Sequence, residues 1–171
     1  MSTYIAAISV IPSDTINIPQ PGVLDSGTST AGAGAGKIED TGAEWTNAKT
    51  NLVGYNIENG DVVYNTTDSP NNISQISKVD SDTVLSISTN VFQGATDGYE
   101  IYKGNQAGNN GYSFYVGTSA GDKKIKVLDI SGNQVTLEGI EANTIYDLQI
   151  VRVYSTGTSG VSNIVALEKS N

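Results

Sequence analysis

The chain has 171 residues and a mass of 17.9 kDa, which allows one ordinary domain or two small β modules and excludes a multidomain enzyme. It has no cysteine and no histidine, so disulfides, thiolate nucleophiles, Ser-His-Asp relays and the usual zinc ligands are excluded. Asp and Glu number 18 against 9 Lys and Arg, and the net charge of −9 opposes binding to phosphate backbones or anionic lipid. We therefore expect no cofactor, no nucleic-acid partner and no membrane partner.

Alternating apolar and polar residues predict an all-β fold, because successive side chains of a strand point to opposite faces of the sheet. In chain order we expect strands at residues 4–11, 15–18, 52–55, 61–65, 73–79, 83–88, 99–102, 112–116, 135–137 and 145–154. The last of these is apolar on both faces and is the best candidate for a central strand. No stretch keeps a helical apolar spacing over three turns.

Two segments of low complexity divide the chain. Residues 26–36 and 104–111 consist largely of Gly, Ala, Ser, Thr and Asn, so both are expected to be flexible joints. We predict a discontinuous domain of β-sandwich or jelly-roll-like type, residues 1–25 plus 112–171, because the N-terminal piece is too short to bury a core by itself. Residues 37–103 would form a small β-barrel-like module inserted into it. An N-terminal arm that adds a strand to a neighbouring subunit is the alternative.

Clustered carboxylates suggest one candidate metal site. Asp80 and Asp82, with Asp61 or Asp68 nearby, have the ligand chemistry that calcium prefers. We favour the interpretation that residues 80–83 form a hairpin turn through side-chain-to-backbone hydrogen bonds. No glycine-containing loop of the EF-hand kind surrounds them, so we predict no metal site.

The apolar N-terminal strand suggests an assembly interface. Its candidate residues are Ile5, Ile8, Val10 and Ile11, which would tie subunits together by main-chain pairing and apolar contact. We expect that deletion of residues 1–20 abolishes assembly.

Arg152 is the only arginine and lies in the most apolar strand. It would pair with a carboxylate such as Glu138 or Glu141, or extend its charged end to solvent at the sheet edge. Arginine is enriched where subunits meet, so an interface role is equally open. The basic cluster at 122–126 is expected to be a solvated hairpin tip.

Glycan hydrolysis by paired carboxylates is formally possible, for instance by Glu39 and Asp40 or by Glu138 and Glu141. Such pairs arise by chance among 18 scattered acidic residues, so we expect no enzyme.

Short motifs in the C-terminal third carry a family resemblance. They read FYVGTSAGD at 114–122, IKVL at 125–128, VTLEGI at 135–140, IVRVYSTGT at 150–158 and NIVAL at 163–167. Together with IPSDT at 11–15, they resemble the head spike base proteins of tailed phages and gene transfer agents. In that family an aromatic residue usually stands where this chain has Glu168, and most members lack so large an insert.

A second resemblance lies in the central segment. GDVVYNTTD at 60–68, VDSDTVLSIS at 79–88 and YEIY at 99–102 look like a β module of virion structural proteins from marine phages, including cyanophages.

The two resemblances imply an oligomeric virion structural protein on the phage capsid surface, either a decoration (cement) protein or a head vertex (spike base) protein. Its implied partners are the major capsid protein, further copies of the chain as a trimer or pentamer, and a head fibre. A tail or fibre component that binds host glycan is the first alternative, and a bacterial surface adhesin module is the second.

Overall fold

A computed structural model describes residues 3–30, 36–46, 56–67, 72–92, 96–104 and 111–170. These residues contain no helix, and the all-β class is confirmed. Their strands are β1 (Tyr4–Ser9), β2 (Val23–Thr28), β3 (Lys37–Glu39), β4 (Val62–Asn65), β5 (Ile73–Ser81), β6 (Val84–Ile87), β7 (Gly98–Tyr102), β8 (Tyr112–Asp129), β9 (Gln134–Glu138), β10 (Thr144–Val153) and β11 (Ser159–Lys169). The strand expected at 52–55 lies outside the described residues.

The chain divides into two compact units. The outer unit comprises Met1–Pro21 and Asn105–Asn171, and the inserted unit comprises Gly22–Gly104. The expected first joint is wrong at its start, because residues 26–28 belong to strand β2 and residues 22–25 belong to the inserted unit. Positions 31–35 and 105–110 of the expected joints lie outside the described residues.

The long strand β8 organises the sheet of the outer unit, which has the order β1-β11-β8-β10 with β9 also paired to β8. β11 pairs with the first half of β8, with Ala166 opposite Phe114, and β9 pairs with the second half. In β10, Ile150 lies opposite both Tyr112 and Asp129, one from each half of β8. Segment 122–126 is therefore not a hairpin tip but lies inside β8, next to Gly121, whose φ of +66° allows the strand to bend.

The core of the outer unit receives side chains from one face of this sheet and from the segment that follows β1. Its buried apolar residues are Ile8, Ile16, Ile18, Tyr112, Phe114, Val116, Ile125, Val127, Ile140, Ile150, Val153, Tyr154, Ile164 and Ala166. Residues 15–18 do not form the expected strand. The amides of Ser13 and Ile18 donate to the carbonyls of Val153 and Val151, but prolines at 12, 19 and 21 have no N–H with which to extend this pairing.

The inserted unit is a six-stranded sheet in the order β2-β7-β4-β5-β6-β3. Val23 lies opposite Tyr102, so the two ends of the unit leave from neighbouring strands. Among the described residues, β2 does not pair with β3; beyond the end of β2, the Thr30 amide and hydroxyl donate to the Glu39 carbonyl and the Thr30 hydroxyl accepts from the Thr41 amide. The expected closure into a barrel is therefore not confirmed.

A separate hydrophobic cluster fills the inserted unit. Trp45 is 4% exposed, packs edge-on against Tyr99 with the ring centroids 5.9 Å apart, and donates its indole N–H to Asp25 over 2.8 Å. Because Trp45 is the only tryptophan of the chain, its fluorescence reports on this unit.

Candidate assembly surface

The two candidate metal ligands are engaged in separate hydrogen-bond networks. Asp80 accepts from Lys78 and Ser86 and pairs with Lys37 at 3.4 Å. The hydrogen bonds from Lys78 and Ser86 hold the pKa of Asp80 well below its usual range. Its charge is thus already balanced by lysines.

Asp82 holds a neighbouring turn. Its carboxylate accepts from the amide and hydroxyl of Thr46, and its carbonyl accepts from the Trp45 amide. The chain reverses between Ser81 and Val84, as the hairpin interpretation predicts. No group of three or more potential metal-ligating side chains occurs within the described ranges.

The four apolar residues proposed for the N-terminal interface have different environments. Ile8 is 5% exposed and belongs to the core, and Val10 and Ile11 are half-buried. Ile5 is 61% exposed. Between Tyr4 and Ala6 the pairing of β1 with β11 shifts by one residue, so Ile5 is the extra residue of a bulge, a feature that redirects a side chain.

Arg152 fastens the N-terminal segment to β10. Its Nε donates to Asn17 Oδ1 over 2.8 Å and its Nη1 donates to the Asp14 carbonyl over 2.9 Å. The expected partners Glu138 and Glu141 are wrong, because these carboxylates lie near lysines instead. Sequence reasoning missed this contact because the bonded residues lie more than 130 positions apart.

The lysines of the basic cluster are also occupied. Lys123 pairs with Glu141 at 3.2 Å, and Lys124 lies 3.3 Å from Asp122 and 3.7 Å from Glu138. Lys126 lies over the Tyr154 ring, 4.9 Å from its centroid. This segment therefore presents balanced charges rather than a positive patch.

The other proposed carboxylate pair is part of the framework of the inserted unit. Asp40 accepts from the Tyr99 hydroxyl over 2.7 Å and from the Gly42 amide over 2.8 Å. Burial of Tyr99 and this hydrogen bond raise the pKa of the tyrosine well above its usual value. Asp40 thus orders a buried tyrosine.

One face of the outer sheet is not covered by the core; we call the part of it on β1, β11, the first half of β8 and β10 the open face. Cross-strand partners share a face, so the register places Ser9, Val165, Tyr115 and Ile145 in one row across β1, β11, β8 and β10. Ile145 is 48% exposed, and Val165 and Tyr115 are half-buried. This row is uncharged and largely apolar.

The next row of the open face contains Ala7, Leu167 and Ser113. Ser113 donates to Asp147 over 2.7 Å, and Asp147 also pairs with Lys169. The hydrogen bonds from Lys169 and Ser113 lower the pKa of Asp147. Asp147 and Lys169, which lies in the row beyond, therefore neutralise each other.

The far end of the open face carries two more exposed isoleucines. Ile5 follows Tyr4, which lies opposite Lys169, and Ile130 lies where a Cβ on Gly111 would meet it. An open groove of about 350 Å³ has Ile130, Asp147 and Lys169 in its lining. The exposed large hydrophobic residues in the described part of the chain, Ile5, Ile130 and Ile145, thus all border this face.

Of these three, sequence reasoning identified only Ile5. The sequence contained a signal for Ile145, because it precedes Tyr146 in an alternating strand and therefore lies on the face opposite to Tyr146 and Ile150. Ile130 lies at the start of the Ser131-Gly132 turn, where the alternation that assigns side chains to faces ends.

No family model, curated protein or solved structure matches this chain. Within the described residues, no helix is long and apolar enough to cross a membrane.

Proposed function

We propose that the protein is a virion structural protein that decorates the phage head, as a cement protein or as a spike base at a vertex, and assembles there as a homo-oligomer. The motif resemblances suggest this role, and the open face of the outer unit is the observation that supports it best. Its partners are further copies of the chain, the major capsid protein and a head fibre.

The distribution of charge supports different roles for the two units. The outer unit has 7 Asp and Glu against 5 Lys and Arg, a net charge of −2. The inserted unit has 11 against 4, a net charge of −7. Protein contacts form most readily where charge is low, so the outer unit makes the assembly contacts. The acidic inserted unit remains hydrated and keeps the particle surface soluble.

The proposed role is mechanical. Apolar contact and main-chain pairing hold the subunits in place, and the role requires no catalytic group. The Arg152 contacts with Asn17 and Asp14 fix the N-terminal segment against the sheet that carries the open face. Attachment therefore relies on a framework that is already ordered in the single chain.

Binding to empty heads tests this function. The full chain should co-sediment with heads of the phage that encodes it, saturate at a fixed copy number, and raise the temperature at which the heads rupture. Albumin at equal concentration controls for nonspecific trapping. Failure to bind heads, together with saturable binding to host polysaccharide, would contradict the proposal and favour the fibre alternative.

A further inference from the structure

The open face has the dimensions of a small interaction surface. It spans four strands, β1, β11, β8 and β10, and about three side-chain rows. With strands about 4.8 Å apart and rows about 7 Å apart, it measures about 20 Å by 20 Å, or about 400 Å². Only part of this area is apolar, since Ser9, Ser113, Asp147 and Lys169 also lie on the face.

We propose that the open face packs against the same face of a second copy of this chain as a two-fold pair, a partner assignment that rests on the self-association in the proposed function. The face is electrically self-compatible, because its uncharged row contains Ser9, Val165, Tyr115 and Ile145, and the charges of Asp147 and Lys169 cancel. Two such faces meet without opposing charges in the uncharged row. At the far end the groove is also lined by Asp129, whose carboxylate accepts hydrogen bonds from Ser131 and Asn133.

The net charges of the units predict how salt acts on this contact. Two copies carry −7 each on their inserted units, and this long-range repulsion opposes their approach at low ionic strength. Added salt screens the repulsion and leaves the apolar contact intact, so self-association strengthens with salt. Binding to a cationic partner would weaken with salt, and binding to a neutral glycan would barely respond.

The area of the face sets the strength of the association. A stable interface buries about 800 Å² on each partner, roughly twice what the open face offers. The pairing is therefore weak in solution, with dissociation constants of about 10 µM to 1 mM. On a capsid, neighbouring copies are held at high effective concentration, and the same contact becomes saturated.

Sedimentation equilibrium of the full chain over about 10 µM to 1 mM, at about 50 mM and 500 mM NaCl, tests this. The mass should rise with concentration, and more steeply at the higher salt. Ile145→Asp and Ile145→Lys should each weaken association at least about tenfold, since either puts a charge into the contact. Ile130→Asp tests the far end of the face and should also weaken self-association.

Thr136→Asp is the matched control, because it adds the same charge at an exposed position of β9, in the same unit but outside the open face. It should associate like the wild type. Circular dichroism checks that each variant is folded, and the two ends of the face provide independent variants.

Three results would overturn the inference: a single-chain mass at every concentration, equal weakening by Thr136→Asp and Ile145→Asp, or weaker association at high salt. A chain that binds empty heads but stays a monomer would refute the open-face pairing and leave the proposed function standing. A chain that self-associates without binding heads would refute the proposed function and leave the open-face pairing standing.

Discussion

The two units should unfold separately, because each has its own hydrophobic core. Ile150 in the outer unit and Ile101 in the inserted unit are both fully buried isoleucines in strands, so they form a matched pair for testing this. Replacing either by valine removes one buried methylene and costs about 1 kcal/mol. With a urea m-value of about 1.5 kcal/mol per M, the transition of the affected unit shifts by about 0.7 M.

Two optical probes distinguish the transitions. Trp45 fluorescence follows the inserted unit, whereas far-ultraviolet circular dichroism follows the strands of both units. Ile150→Val should move the dichroism transition and leave the fluorescence midpoint unchanged, and Ile101→Val should move the fluorescence midpoint by about 0.7 M. Equal shifts of both probes in both variants would refute the separation into two cores.

Three further predictions concern individual groups. Asp61→Ala should lower the unfolding free energy of the inserted unit by about 3 to 5 kcal/mol, because this 2% exposed carboxylate accepts hydrogen bonds from two backbone amides and faces a lysine. Glu58→Gln, at the exposed end of the same network, should lower it by less than about 1 kcal/mol in the same urea titration. The pKa of Asp80 is depressed in the folded protein, so Asp80 stabilises the fold at pH values above its pKa in the unfolded chain, and this stabilisation is lost as the pH falls. At pH values below about 4 the urea midpoint of the wild type should therefore decrease, and that of Asp80→Asn should decrease less. Gly160 and Gly132 both have positive φ, so Gly132→Ala should destabilise the outer unit by about 1 to 2 kcal/mol. Gly160→Ala should destabilise it well beyond this, because only at Gly160 would a Cβ meet backbone carbonyls. Thermal unfolding followed by circular dichroism measures the difference.

Local periodicity predicted most strands, because alternation is a property of a few consecutive residues. Tyr112, Phe114 and Val116 were correctly assigned to one buried face of a strand, and a hairpin was correctly placed before Val84, although β5 extends to Ser81 and the turn is confined to 82–83. The same reasoning was wrong for 15–18, where alternation occurs but prolines prevent the pairing that makes a strand.

Features that depend on distant partners were not accessible from the pattern. Residues 26–28 resemble a linker in composition, yet β7 pairs with them and makes them part of a sheet. The segment 119–124 has the Gly and Asp of a turn, but its two ends, Ser119 and Lys124, both pair with β11, so it lies within one long strand. The side chains bonded to Arg152 follow from the fold and not from the local sequence.

The candidate surface was predicted only in part. The N-terminal strand as an interface stays a prediction, and its alternation assigns Ile8 to the core and leaves Ile5 exposed. The rest of the open face comes from β8, β10 and β11, whose order in the sheet the sequence does not specify. For the same reason, deletion of residues 1–20 would remove core residues such as Ile16 and Ile18, so point variants test assembly more cleanly.

Quantitative mass spectrometry of gradient-purified phage particles tests the central claim most directly. If the protein is part of the phage head, it co-purifies with the major capsid protein in a fixed molar ratio that is unchanged by further gradients and by salt washes. Its absence from intact particles, or a variable amount that follows host envelope proteins, would contradict a structural role on the phage head.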